Sequence, residues 1–260
     1  MNRMLTTAIT VALVMPTMAS AQLTWMAFSS LAEGKSGAEG MGQVMQEKEL
    51  MDGLLADGVI NGWGIAVPAT HRPESRANFL EWVAVEDWGK VDQWVGRVLA
   101  NQQSMEPEEA ESQKKAFMET FEAGSHFDEV VRNAILRSAA SPEDMEKTGV
   151  FYVSSYTARD GQGDAFLDLA ESRAVPIADR LVEEGVAIAY GLHVPEVHGV
   201  EGWTHRLWWA LPNLEGIGKL KEAFSKAGDD LRNRVDELTV PGSHFDTIYI
   251  SMFIDMAPAE

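Results

Sequence analysis

The chain has 260 residues, no cysteine and a formal net charge of −19 at pH 7. Without thiols it has no disulfide, no thiolate zinc site and no cysteine nucleophile, so stability must come from an apolar core and any metal would have to be held by His and carboxylate. Charge of this sign repels phosphate backbones and anionic lipid surfaces, which argues against a nucleic-acid or membrane-surface partner and leaves solubility as the plain role of the acidity.

In chain order, residues 1–21 read as a signal peptide. Asn2-Arg3 makes a polar start with one positive charge, an apolar stretch follows, and the small residues Ala19-Ser20-Ala21 precede a cleavage point before Gln22. The apolar stretch is short and interrupted by Pro16, so it does not read as a bilayer span. The expectation is an exported protein, periplasmic or extracellular, with no membrane contact after cleavage.

The remainder says the same thing twice. Gly64-Ile-Ala-Val-Pro-Ala-Thr-His71 returns as Gly191-Leu-His-Val-Pro-Glu-Val-His198, and Gly124-Ser-His-Phe-Asp128 returns as Gly242-Ser-His-Phe-Asp246. Two matches in the same order at nearly the same spacing indicate an internal repeat. The predicted units are residues 22–139 and 150–260, joined by a linker at 140–149. Each opens with a β run (23–29; 150–157) and a glycine turn. A helical stretch follows (40–56; 164–184) and ends at Gly58 or Gly185, where a C-terminal cap is expected. A β hairpin comes next (59–67 with 79–85; 186–194 with 206–211). Two helical segments follow (88–101 and 108–122; 214–226 and 229–237), then a last strand (129–136; 247–255).

That order, β-α-β-β-α-β twice, is the split βαβ of an α+β, ferredoxin-like fold. One unit leaves a sheet face bare, and two units can cover each other. In this tandem pattern the chain resembles the dimeric α/β-barrel superfamily fused into a single-chain pseudo-dimer. The nearest patterns are the antibiotic-biosynthesis-monooxygenase-like and stress-responsive barrel proteins, and the superfamily also holds haem enzymes of the chlorite dismutase type. The resemblance implies a barrel in which the second strand of one unit meets the fourth strand of the other. It would bring His71 near His244 and His198 near His126. It also implies cofactor-independent oxygenation or isomerisation of a small aromatic or hydrophobic molecule.

The candidate catalytic residues are the repeated histidines His71, His198, His126 and His244, with Asp128 and Asp246 two positions after the last pair. A His–Asp pair can orient an imidazole as a base, although the same residues also suit a turn that anchors a strand. Candidate ligand-binding residues are Tyr152, Tyr156, Tyr249, Ser251, Tyr190, Trp208, Trp82 and Trp63. Alternation along the strands predicts that Tyr152, Ser154 and Tyr156, with Tyr249 and Ser251, line the barrel interior as a cavity wall; the competing reading is a plain core. His193 and His205 occur only in the second unit and read as either site-specific or surface residues. No dinucleotide loop, phosphate loop or Gly-x-Ser-x-Gly elbow is present, and no metal or cofactor is predicted. Three readings stay open: an enzyme of this kind, a non-catalytic exported binding protein, and a haem or metal protein. The expected state is a monomeric pseudo-dimer or weak homo-oligomer.

Overall fold

The computed structural model describes residues 23–70, 77–138, 141–197 and 202–257. In the first half, β1 (Leu23–Ser29) leads to α1 (Gly37–Val44), a 3-10 turn (Met45–Glu47) and α2 (Lys48–Ala56). Then come β2 (Gly62–Pro68), β3 (Phe79–Val85), α3 (Trp88–Ser104), α4 (Pro107–Thr120) and β4 (Phe127–Ser138). A short helix, α5 (Pro142–Met145), occupies the linker. The second half runs β5 (Val150–Tyr156), α6 (Gly163–Leu169), a π turn (Ala170–Ala174), α7 (Val175–Glu183), β6 (Ala189–Val197), β7 (His205–Leu211), α8 (Glu215–Lys226), α9 (Asp229–Leu238) and β8 (Phe245–Met256).

Local chemistry sets these boundaries. Ser36 caps α1 through a reciprocal box with Glu39, and Asp87 caps α3 by accepting from the Lys90 amide at 2.9 Å. The single predicted helix at 164–184 is interrupted by the π turn just before Pro176. Proline has no amide to donate to the preceding turn, and a widened turn absorbs that loss. Gly58 and Gly185 end their helices with φ of +62° and +69°, where a Cβ would be strained.

The eight strands close into one antiparallel barrel in the order β1-β3-β2-β8-β5-β7-β6-β4. The first four strands run β4-β1-β3-β2 and the last four β8-β5-β7-β6. The halves meet twice, through β2 with β8 and β4 with β6. Helices pack outside. One core lies between the first-half helices and the sheet, around Leu54, Trp63, Ile65 and Phe79. A second lies under the second-half helices, around Tyr152, Phe166, Leu181 and Trp209. The lumen is lined by Met26, Phe28, Leu80, Val131 and Trp203, with Ile254 and Met256 at one end. Among the described residues no helix is long and apolar enough to cross a membrane.

The lumen is only in part the Tyr-, Ser- and Thr-lined space that alternation predicts: Tyr249 faces it, and Tyr152, Ser154 and Tyr156 do not. Phe151 stands opposite Tyr249 and Val153 opposite Thr247 in the β5–β8 register. Cross-strand partners share a face, so Phe151, Val153 and Tyr249 point inward and Tyr152, Ser154 and Tyr156 point out to the helices. Further along β8 the register against β2 shifts between Ile65 and Ala66, leaving Met252 as an extra residue. A bulge of one residue exchanges the two faces. Phe253 therefore packs outside on Trp63, while Ile254 and Met256 turn inward.

Candidate functional site

The outward face of β5 and β8 carries a polar constellation. Asp246 is its centre. Ser154 Oγ donates to Asp246 Oδ1 at 2.7 Å, His244 Nε2 lies 3.0 Å from the same oxygen, and the Tyr152 hydroxyl bonds the same carboxylate. Burial pushes the Asp246 carboxyl up, but the bonds from His244, Tyr152 and Ser154 together outweigh it and hold it at about 2. Burial pushes the Tyr152 and Tyr156 phenols up, so both are neutral donors near pH 7. The Tyr156 ring stacks on His244 with centroids 4.5 Å apart and an interplanar angle of 9°. Lys221 reaches over from α8, 3.9 Å from Asp246 Oδ2 and 5.4 Å above the Tyr152 ring.

Of these groups Tyr152, Tyr156, Lys221, His244 and Asp246 line a cleft of about 540 Å³ between the sheet and α6, α8 and α9. Phe166, Leu169, Phe224 and Val235 form its apolar walls, and Arg232 adds a second cation. The arrangement has a definite chemical capacity. An ionised carboxylate only accepts, so the neutral His244 ring carries its proton on Nε2 and keeps a lone pair on Nδ1. Asp246 fixes that tautomer and stabilises the imidazolium that forms when Nδ1 takes a proton.

The first half repeats the pair with different surroundings. His126 Nε2 lies 3.2 Å from Asp128 Oδ2, and its Nδ1 lies 3.2 Å from Ser29 Oγ. The hydrogen bond to Asp128 raises the His126 pKa. Burial pushes Asp128 up, but bonds from His126 and Trp25 outweigh it and lower its pKa. Trp25, at the place of Tyr152, donates to Asp128 Oδ1 at 2.8 Å and sets its edge against Trp94 at 5.6 Å. Glu81 on β3 has its carboxyl pushed up to about 7 by burial and then by the nearby Glu47.

Inside the barrel lies a group that sequence reasoning missed. Arg206 Nη1 is 2.9 Å from Glu129 Oε2, and both residues are buried. The Arg206 guanidinium lies 3.8 Å over the Trp203 ring, and Trp203 Nε1 donates to Glu129 Oε1 at 3.3 Å. Beside them is a cavity of about 110 Å³ lined by Trp82, Phe151, Trp208, Tyr249 and His193 among others. Burial and then the Arg206 charge push His193 down to about 3, so it is neutral.

The structure thus brings His244, Asp246, Tyr152 and Tyr156 into one cleft, and His126 and Asp128 into its first-half counterpart. Trp82, Trp208 and Tyr249 face the lumen cavity instead. Trp63 packs in the first-half core on Phe253, and Tyr190 is tied to Asp179 Oδ1 at 2.5 Å on the helix side. Ser251 sits beside the β8 bulge and lines neither cavity. His71 and His198 lie outside the described residues, so their approach to His244 and His126 is not seen. His193 and His205 are both buried rather than surface residues; His205 Nδ1 lies 2.8 Å from Thr204 Oγ1, and its ring packs on Phe166. Among the described residues no group of three or more His, Asp or Glu side chains is placed to hold a metal ion.

No protein-family model matches the chain, and no curated protein matches it significantly. Solved structures do. A monooxygenase-like protein of Fusobacterium nucleatum subsp. nucleatum superposes with a TM-score of 0.63 at 10% identity, covering 93% of this chain and 97% of that one. An anthrone oxidase-like protein gives 0.52 at 11% identity over 93% and 95% of the two chains. A chlorite dismutase-like protein gives 0.51 at 9% identity over 89% and 95%. At these identities the likeness is one of fold: the chain shares the closed α+β barrel of monooxygenase-like and chlorite dismutase-like proteins.

Proposed function

We propose that the chain is an exported barrel built from two repeated ferredoxin-like units, and that its second-half cleft binds a small aromatic or hydrophobic molecule and passes a proton from it to His244. The observation that carries this reading is the His244–Asp246 pair, stacked on Tyr156 within a cleft of about 540 Å³. That volume lies in the range of small-molecule sites, with mostly apolar walls and a few convergent polar groups. Lys221 stands where an oxyanion formed by deprotonation would be stabilised, while Tyr152 holds the Asp246 carboxylate in place. Isomerisation needs only this proton relay, and the product of deprotonation is an electron-rich carbanion or phenolate of the kind that reacts with dioxygen. The repeated motifs and the matching strand order of the halves support the duplication, and residues 1–21 support export.

The test is a panel of phenols, quinols and aromatic acids, scored by thermal shift and turnover on protein beginning at Gln22. Binding of the anionic aromatic acids should be lost in Tyr152→Phe with Lys221→Met. Turnover, but not binding, should be lost in His244→Ala. Binding with no turnover of any compound would remove the proton-transfer step, and binding untouched by the Tyr152 and Lys221 changes would remove the cleft.

A further inference from the structure

The lumen is separate from the cleft: the sheet lies between them, and the two cavities share no lining residue. We propose that the lumen is a second ligand site, which takes one neutral monocyclic molecule bearing a single hydroxyl-type group, of the class of phenol.

Size comes first. The cavity measures about 110 Å³ and is walled chiefly by Met26, Phe28, Leu80, Trp82, Phe151 and Trp208. An engineered apolar cavity of about 150 Å³ stays dry and holds benzene, so this space is of single-ring scale. Its walls are aromatic on opposite sides of the barrel, with the Phe151 ring 6.4 Å from both Trp82 and Trp208.

Polarity comes second. His193 is 7% exposed and lines the cavity, and its Nδ1 has no hydrogen-bond partner. An unmet buried nitrogen is costly, and buried polar groups are almost always paired. Water is a poor occupant, because each buried water wants about three polar partners and the walls are overwhelmingly hydrocarbon. A ring with one hydroxyl matches both features. The ring meets the aromatic walls, and the hydroxyl either donates to or accepts from His193 Nδ1, whichever tautomer is present.

Charge comes third. The ligand must be neutral. Arg206 is already balanced by Glu129 at 2.9 Å, so an added ion would be buried without a counter-charge. Thr24, Asn133 and Tyr249 also line the cavity, and the buried ion pair and the imidazole beside it come from both halves, Glu129 from β4, His193 from β6 and Arg206 from β7. Their repeat counterparts, Thr247, Ala66 and Leu80, carry no charge. The lumen therefore has one polar end, and the ligand has one orientation.

The experiment titrates phenol and toluene into the full-length mature chain and follows the tryptophan indole N–H signals by NMR. Phenol should shift the Trp82 and Trp208 signals. Val153→Phe, which grows a ring into the cavity, should weaken both compounds by about tenfold or more, a loss of at least one decade in Kd. His193→Leu should weaken phenol by about tenfold and leave toluene within about twofold, since it removes only the hydrogen bond. This second variant also serves if Val153→Phe fails to fold. Tyr152→Phe and His244→Ala, which alter only the cleft, should leave the lumen shifts unchanged. No shift of Trp82 or Trp208 with either compound would overturn the proposal. So would binding that survives Val153→Phe but is lost in the cleft variants; that outcome would leave the cleft reading standing.

Discussion

Gly191 and Trp208 face each other across β6 and β7, and the indole Nε1 of Trp208 occupies the space where a Cβ on residue 191 would sit, 2.6 Å from it. The backbone oxygen of Ile135 closes the other side at 2.7 Å. Gly64 and Trp82 stand in the same relation in the first half, with the indole 2.8 Å from the missing Cβ and the Phe253 oxygen at 2.7 Å. This gives the repeated glycines a reason: each lets a lumen tryptophan lie flat against the neighbouring strand.

Gly191→Ala should therefore destabilise the fold by about 1–3 kcal/mol, the usual cost of overpacking. Gly53→Ala is the control. It lies in α2 with nothing within 4 Å of the added methyl, and it should stabilise by up to about 1 kcal/mol. Urea unfolding of both variants checks the pair, and equal effects would remove the steric account.

The buried Glu129–Arg206 pair should show the asymmetry of internal ion pairs. Glu129→Ala strands the guanidinium without its carboxylate and should cost about 3–5 kcal/mol. Glu129→Leu with Arg206→Met removes both charges and should recover most of that loss, because similar replacements elsewhere are neutral or stabilising by about 1–4 kcal/mol. The equilibrium midpoints of the single and double variants decide it.

His193 should make the protein acid-sensitive. Its folded pKa of about 3 lies below the ordinary value of 6.5, so the unfolded chain binds the extra proton between those pH values. Stability from this group is complete above pH 6.5 and is lost progressively as pH falls toward 3. His193→Leu should flatten that part of the stability profile, measured by Tm against pH. A profile as steep as that of the parent would show that other groups carry it.

Glu81 should act in the opposite sense. Its folded pKa of about 7 lies above the ordinary 4.5, so the native state holds the extra proton between those values. Its contribution is present at low pH and is lost as pH rises through 7. Glu81→Gln should therefore raise stability at pH 8 relative to the parent and leave it nearly unchanged at pH 4. A carbonyl band for a protonated carboxyl at pH 6, absent in the variant, reads the same proton directly.

The order of elements was legible because two copies of each motif bracket them, and Gly58 and Gly185 mark the same helix ends. The inside and outside of the strands were not. Period-two alternation separates Tyr152 from Phe151, but only the pairing of Phe151 with Tyr249 says which of them is inward. The bulge at Met252 then reverses the assignment within a single strand. His244 and Asp246 were legible as a pair because they are local. Glu129 and Arg206 were not, since they come from different halves and meet only when the barrel closes. A signal for them did exist: each is charged where the aligned position of the other half, Thr247 or Leu80, is not.

Closure of the barrel has a further consequence for a chain without disulfides. Each of the eight strands is paired on both sides, so the sheet has no open flank on which another chain could add a strand. Aggregation by strand exchange must then begin by opening one of the eight strand pairings. Resistance to fibril formation should therefore follow the strength of the weakest strand pairing rather than the overall thermal midpoint.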